Sequence, residues 1–181
     1  MWRRWLEFAQ REYSVRQRLL ALSITTPIFV IVIPVLEVYV SRWLDRSLGF
    51  PTFRSLPLTV LGVFVAVGGW ALSLWSVYTQ FTLGRGTPIP WMPPQRLVIQ
   101  GPYKYVRNPM ALGNIIMYMG IAWILGSPSA VILVLVGGTL LLLYDKFVEE
   151  QEMALRFGEE YLEYKRQTPF IIPRRPRRGR G

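Results

Sequence analysis

The chain contains no cysteine and no histidine. Those absences remove disulfides, thiolate nucleophiles, imidazole bases and the usual zinc and haem ligands, so no metal site is expected. Acidic residues are scarce beside basic ones, 11 Asp and Glu against 21 Lys and Arg, which leaves a net charge of +10. Charge is missing altogether from Leu19 to Leu36 and from Asn108 to Tyr144. Any chemistry must use carboxylates, guanidinium or ammonium groups, tyrosines, the backbone, or a cofactor that brings its own reactivity.

The 181 residues are 51% hydrophobic with a mean hydropathy of +0.27. The apolar residues are gathered into long runs, which is a membrane composition rather than that of a soluble globule. The positive charge therefore reads as topogenic and lipid-facing, and no nucleic-acid partner is expected. Four spans fit the pattern: Leu19–Leu36, Pro57–Phe81, Met110–Leu125 and Ala130–Tyr144. The fold expected is all-α and polytopic, with four transmembrane helices. Lys and Arg are heaviest at the two ends and in the Thr82–Asn108 loop, so both termini and that loop are expected in the cytosol, at the plasma membrane.

Met1–Arg18 places Trp2, Trp5, Leu6, Ala9 and Tyr13 on one helical face, as an interfacial helix would; a basic flank that orients the first span fits equally. Pro27 and Pro34 should kink the first span, Glu37 should sit at its interfacial end, and Ser41–Leu56 should be a short loop. Gly62, Gly68 and Gly69 offer close helix approach in the second span. Four prolines (Pro88, Pro90, Pro93, Pro94) exclude a regular helix from Thr82 to Gln100, leaving a lid or a stiff connector. By region, the chain divides into 1–18 (interfacial segment), 19–81 (first two spans), 82–173 (a cofactor-binding region around the 110–144 hairpin) and 174–181. The last is a basic arm drawn to anionic lipid.

The informative stretch runs from Gly101 to Pro173. GPYKYVRNPMALG opens it, two uncharged spans follow across a Gly126–Ser129 turn, and EEQEMALRFGEEYLEYKRQ closes it. A hairpin returns the chain to the face it left, so Arg107, Asn108 and Pro109 should emerge beside Glu149 and Glu150. Asn108–Pro109 is a helix start whose free N–H groups, with Arg107 beside them, suit a carboxylate or phosphate. Nothing breaks the last span before Gly158. Glu150 falls in a Phe147–Glu150–Ala154–Phe157 stripe, where a carboxylate needs a partner. Glu152, Glu159, Glu160 and Glu163 read as a solvated patch. Tyr103, Tyr105, Tyr161 and Tyr164 could wall in an adenine or a sulfonium. S-adenosylmethionine is one ligand of this character, and physics alone does not select it.

The same residues resemble the membrane methyltransferases of the isoprenylcysteine carboxyl methyltransferase and phospholipid methyltransferase group. That group carries an Arg-His-Pro-x-Tyr-x-Gly element, an apolar hairpin, and a Glu-Glu pair before Phe-Gly-x-x-Tyr. The resemblance covers roughly Gly84 to Pro173. It implies S-adenosylmethionine as cofactor, a cytosolic pocket formed by loop 82–108 and the C-terminal helix, and an amphiphilic or lipid acceptor. It places Arg107, Pro109, Gly113, Glu149 and Glu150 in cofactor-binding positions; Gly101, Pro102, Tyr103, Tyr105, Asn108 and Tyr161 complete the candidate binding set. Arg107, Asn108 and Glu150 are the candidate catalytic residues, with Arg107 holding the cofactor carboxylate and the two glutamates its ammonium or ribose hydroxyls. Asn108 stands where the pattern has His, and Ala111 where it has Tyr. An amide cannot titrate near neutrality, which favours a carboxylate acceptor, which needs no base, over an amine. A phospholipid amine, a nicotinamide-dependent membrane reductase and a non-enzymatic scaffold are the alternatives. The reductase would need more basic residues for its phosphates than Arg107 and Lys104.

Overall fold

The computed structural model describes residues 13–87 and 92–172, and all of the regular structure among them is helical. Most of the expected interfacial segment, residues Pro88–Trp91 of the proline loop, and the basic arm lie outside the described residues. Among the described residues, three helices are long and apolar enough to cross a membrane: α1 (Val15–Leu48), α2 (Leu56–Thr82) and α4 (Pro128–Phe157). Between them α3 (Pro109–Leu125) is apolar but only 17 residues long. A short polar helix, α5 (Glu159–Gln167), follows α4.

Contacts gather the chain into two units. One holds residues 26–73 and 111–143; the other holds 1–25, 74–110 and 144–181. The first unit comprises most of the apolar helix length. There α2 and α3 run antiparallel with their backbones in contact. A Cβ on Gly62 would meet the Gly120 carbonyl at 2.8 Å, and one on Gly113 would meet Ser73 Oγ at 2.5 Å and the Gly69 carbonyl at 2.7 Å. Glycine at these points is what lets dispersion contacts form along the whole seam. Gly68, in contrast, faces open space and takes no part. Ser73 Oγ donates to Asn114 Oδ1 at 2.8 Å beside the seam.

Helix α1 departs most from expectation. It starts on a reciprocal cap, in which Ser14 N–H donates to Gln17 Oε1 and Gln17 N–H to Ser14 Oγ. Pro27 and Pro34 are absorbed by a π-helical turn, Ile28–Val32. In that register Pro34 has no N–H to give the Phe29 carbonyl, and the Tyr118 hydroxyl donates to it instead at 2.9 Å. The expected loop at Ser41 is helix as far as Leu48, capped by Gly49 at φ +69°. The reason is that the polar residues Glu37, Ser41 and Asp45 recur every fourth position and form a buried face rather than a wet one. Glu37 is thus not interfacial: it is 8% exposed, with neither carboxyl oxygen hydrogen-bonded.

Asp45 explains why this face points inward. Its carboxylate accepts Ser127 Oγ at 2.5 Å and the Ser129 N–H at 3.0 Å, while Ser127 Oγ caps the Ala130 N–H at 3.0 Å. One aspartate on α1 therefore holds the α3–α4 turn and the start of α4. Asp45→Ala should destabilise the protein by about 2–3 kcal/mol, because buried donors lose a charged acceptor. Thermal unfolding in detergent tests this, and a melting temperature equal to wild type would show the tie to be dispensable.

Candidate active site

The second unit contains the motif residues. Gly101 begins the segment at φ +59°, where a Cβ would stand 2.9 Å from Thr79 Oγ1, so only glycine fits. A 3-10 turn, Gly101–Lys104, follows with Pro102 fully buried, and Val106 is packed at 2% exposure. The chain then pairs with the C-terminal segment: Arg107 N–H donates to the Pro169 carbonyl at 3.0 Å and Asn108 N–H to that of Phe170 at 3.3 Å. Tyr164 reaches back to donate its hydroxyl to the Tyr103 carbonyl at 2.7 Å.

The Arg107 guanidinium closes this arrangement. Its Nε and Nη2 donate to Glu150 Oε1 at 2.7 and 2.5 Å, and Nη1 donates to the Thr168 and Lys165 carbonyls at 2.5 and 3.0 Å. The Lys165 ammonium takes the other Glu150 oxygen at 2.7 Å. The partner expected for Glu150 is present, and it is Arg107 itself. The division in which Arg107 and Glu150 grip opposite ends of a ligand gives way here to a direct pair, because the hairpin brings them close enough to neutralise one another.

The other candidates separate into packed and accessible groups. Pro109 is fully buried at the first position of α3. Gly113 is held in the α2–α3 seam, so its geometry is that of a packing residue. Tyr161 is 3% exposed, its ring 6.1 Å from that of Tyr164, so neither ring forms an open wall. Tyr103 is half-buried, with its hydroxyl 3.4 Å from Gln80 Oε1. Burial raises the pKa of all three phenols. The Glu149 carboxylate adds to this for Tyr103, and that of Glu150 for Tyr161 and Tyr164, so they stay protonated donors at neutral pH. Tyr105 and Glu149 are exposed, and Asn108 Nδ2 is enclosed without a hydrogen-bond partner.

Near Glu149, α4 opens into a π-helical turn, Asp145–Glu149, which sets the Asp145 and Glu149 carboxyls within hydrogen-bonding reach of each other. The proline loop is closed on itself: the Gly84 carbonyl accepts both Gln95 and Arg96 N–H, and Thr87 N–H donates to the Met92 carbonyl. Arg156 anchors this loop by donating to the Pro94 carbonyl at 3.3 Å. Sequence reasoning missed Lys165, Thr168, Asp145 and Arg156. The first two lie beyond Gly158, whose φ of +55° redirects the chain into α5. Asp145 was visible as an acid one turn before Glu149, and Arg156 as a basic residue seven positions after it.

A family model described as phospholipid methyltransferase matches residues 57–160. The chain belongs to the phospholipid methyltransferase family. The match takes in Arg107, Asn108, Glu149 and Glu150 and stops short of Lys165 and Thr168. Among solved structures, a eukaryotic intramembrane Ras methyltransferase, isoprenylcysteine carboxyl methyltransferase, has a similar fold, with a TM-score of 0.63 at 22% identity over 88% of this chain. The chain spans 62% of that protein's length. No curated protein matches. For this phospholipid methyltransferase family member, the two halves of the motif are joined by one ion pair.

That pair is buried on both sides, with Glu150 5% and the Arg107 side chain 10% exposed. Glu150→Ala should therefore destabilise by about 3–5 kcal/mol, since it strands a buried guanidinium. Lys165→Ala should change stability by under about 1 kcal/mol, because the ammonium is 44% exposed and solvent-screened. Detergent melting curves of the two variants check this contrast. Equal shifts would mean that Arg107 and Glu150 are not one interaction.

Proposed function

We propose that this protein is an integral membrane methyltransferase that uses S-adenosylmethionine and an amphiphilic acceptor. The observation that carries the reading is the Arg107–Glu150 pair, which joins the α3 start to the α4 exit in a single unit beside accessible polar groups. The donor set fits the cofactor. Glu149 offers a carboxyl for an ammonium or a ribose diol, Asn108 Nδ2 is an unused amide donor, and Tyr105 supplies an exposed ring. S-adenosylmethionine would supply a methyl group on a sulfonium, open to in-line displacement.

The residues of this chain contribute by positioning and by excluding water. Arg107 and Glu150 hold the Gly101–Asn108 segment on the C-terminal helices, Asn108 stands at the mouth of α3, and the protonated phenols donate without competing as nucleophiles. Asn108 cannot titrate and the phenols stay protonated, so neither is a base near neutrality, which suits an acceptor that is already ionised. A lipidic or prenylated carboxylate is therefore the favoured acceptor. A phospholipid amine is the second reading, supported by the family match and by the Asp145–Glu149 carboxyls, which could take its proton. The apolar length of α3, 17 residues or about 25 Å at helical rise, stands at the short limit for a crossing and supports reading it as a fourth. The basic ends support a cytosolic side for the termini and the pocket, and the plasma membrane is the expected location.

Detergent-solubilised protein incubated with methyl-labelled S-adenosylmethionine and fractionated membrane lipids should transfer label to lipid, released by mild base if the acceptor is a carboxylate. Stable label would select the amine. No label in any fraction, together with no cofactor affinity, would end the enzymatic reading.

A further inference from the structure

We propose that Arg156 forms the subsite for the carboxylate at the amino-acid end of the ligand, beside the Glu149 carboxyl already assigned to its ammonium. The inference rests on the cofactor reading above and changes which residues hold that cofactor. Arg107 is excluded from the task by its own bonds, since its three guanidinium nitrogens all contact Glu150 or the carbonyls of Lys165 and Thr168. An anionic ligand group needs another cation.

Arg156 is that cation. It is half-buried, forms no ion pair among the described residues, and uses one Nη on the Pro94 carbonyl. Its Nε–H is enclosed and has no acceptor. Leaving such a donor unmatched is costly, so a ligand oxygen that draws the fork toward it gains more than an exposed contact would. Glu149 lies seven residues earlier, two turns back on the same face, and within electrostatic reach. It too makes no ion pair among the described residues. The π-helical turn sets Asp145 beside it, and adjacent carboxyls repel unless a cation or a shared proton lies between them. Glu152, between the two ends of this stripe, reaches Arg156 electrostatically without pairing with it. The result is an acid pair bonded only within itself and a guanidinium whose Nε–H has no acceptor, both on one helix. A molecule carrying ammonium and carboxylate on a single carbon answers both ends.

The test compares equilibrium binding of radiolabelled S-adenosylmethionine and its decarboxylated analogue to the solubilised full chain. Wild type should bind the intact cofactor at least about tenfold more tightly, as one charge-assisted contact provides. Arg156→Gln should bring the ratio close to one, and Arg156→Lys should leave it intermediate. A residue that merely anchored the Pro94 loop would weaken both ligands alike and keep the ratio. A wild-type ratio near one, or an unchanged ratio in Arg156→Gln, overturns the inference and leaves the cofactor reading standing. Failure of wild type to bind either compound overturns both.

Discussion

Two side chains of opposite charge, far apart in sequence, are taken out of water together, and the second unit depends on that event. Neither Arg107 nor Glu150 could be buried alone without a large loss of hydration energy. Together they satisfy each other and, through Lys165 and the Thr168 carbonyl, draw α5 onto the motif segment. The backbone bonds from Arg107 and Asn108 to Pro169 and Phe170 then follow from proximity. Residues that look like ligand contacts in sequence thus hold the motif segment against the C-terminal helices.

The first unit obeys the same constraint by neutral means. Its helices have little apolar driving force for association within lipid, so they rely on close backbone approach and a few buried polar matches. Asp45 with the Ser127–Ser129 turn, Ser73 with Asn114, and Tyr118 with the Phe29 carbonyl are such matches. Among the described residues of this unit, Glu37 and the Ser129 hydroxyl have no such match.

Much of this was legible in the residues. The limits of α2 and α3 follow from where apolar runs stop, and the run of α4 past Tyr144 follows from the lack of any breaker before Gly158. The meeting of Arg107 with Glu150 followed from hairpin geometry. What was not legible depended on contacts distant in sequence. Glu37, Ser41 and Asp45 look like loop residues until the turn they face is known. Lys165 cannot be assigned to Glu150 without the redirection at Gly158. Gly113 sits in a recognisable motif, yet its surroundings in space are another helix. Motifs report which residues matter more reliably than they report what each one touches.

The glycine seam between α2 and α3 has a mechanical consequence. Where main chains approach, with Gly62 against Gly120 and Gly69 against Gly113, the nearest neighbours are mostly backbone atoms, which cannot rotate aside to open a slot. A lipid tail arriving sideways through the bilayer could not part these two staves. Any doorway for such a tail has to be sought along a different pair of helices.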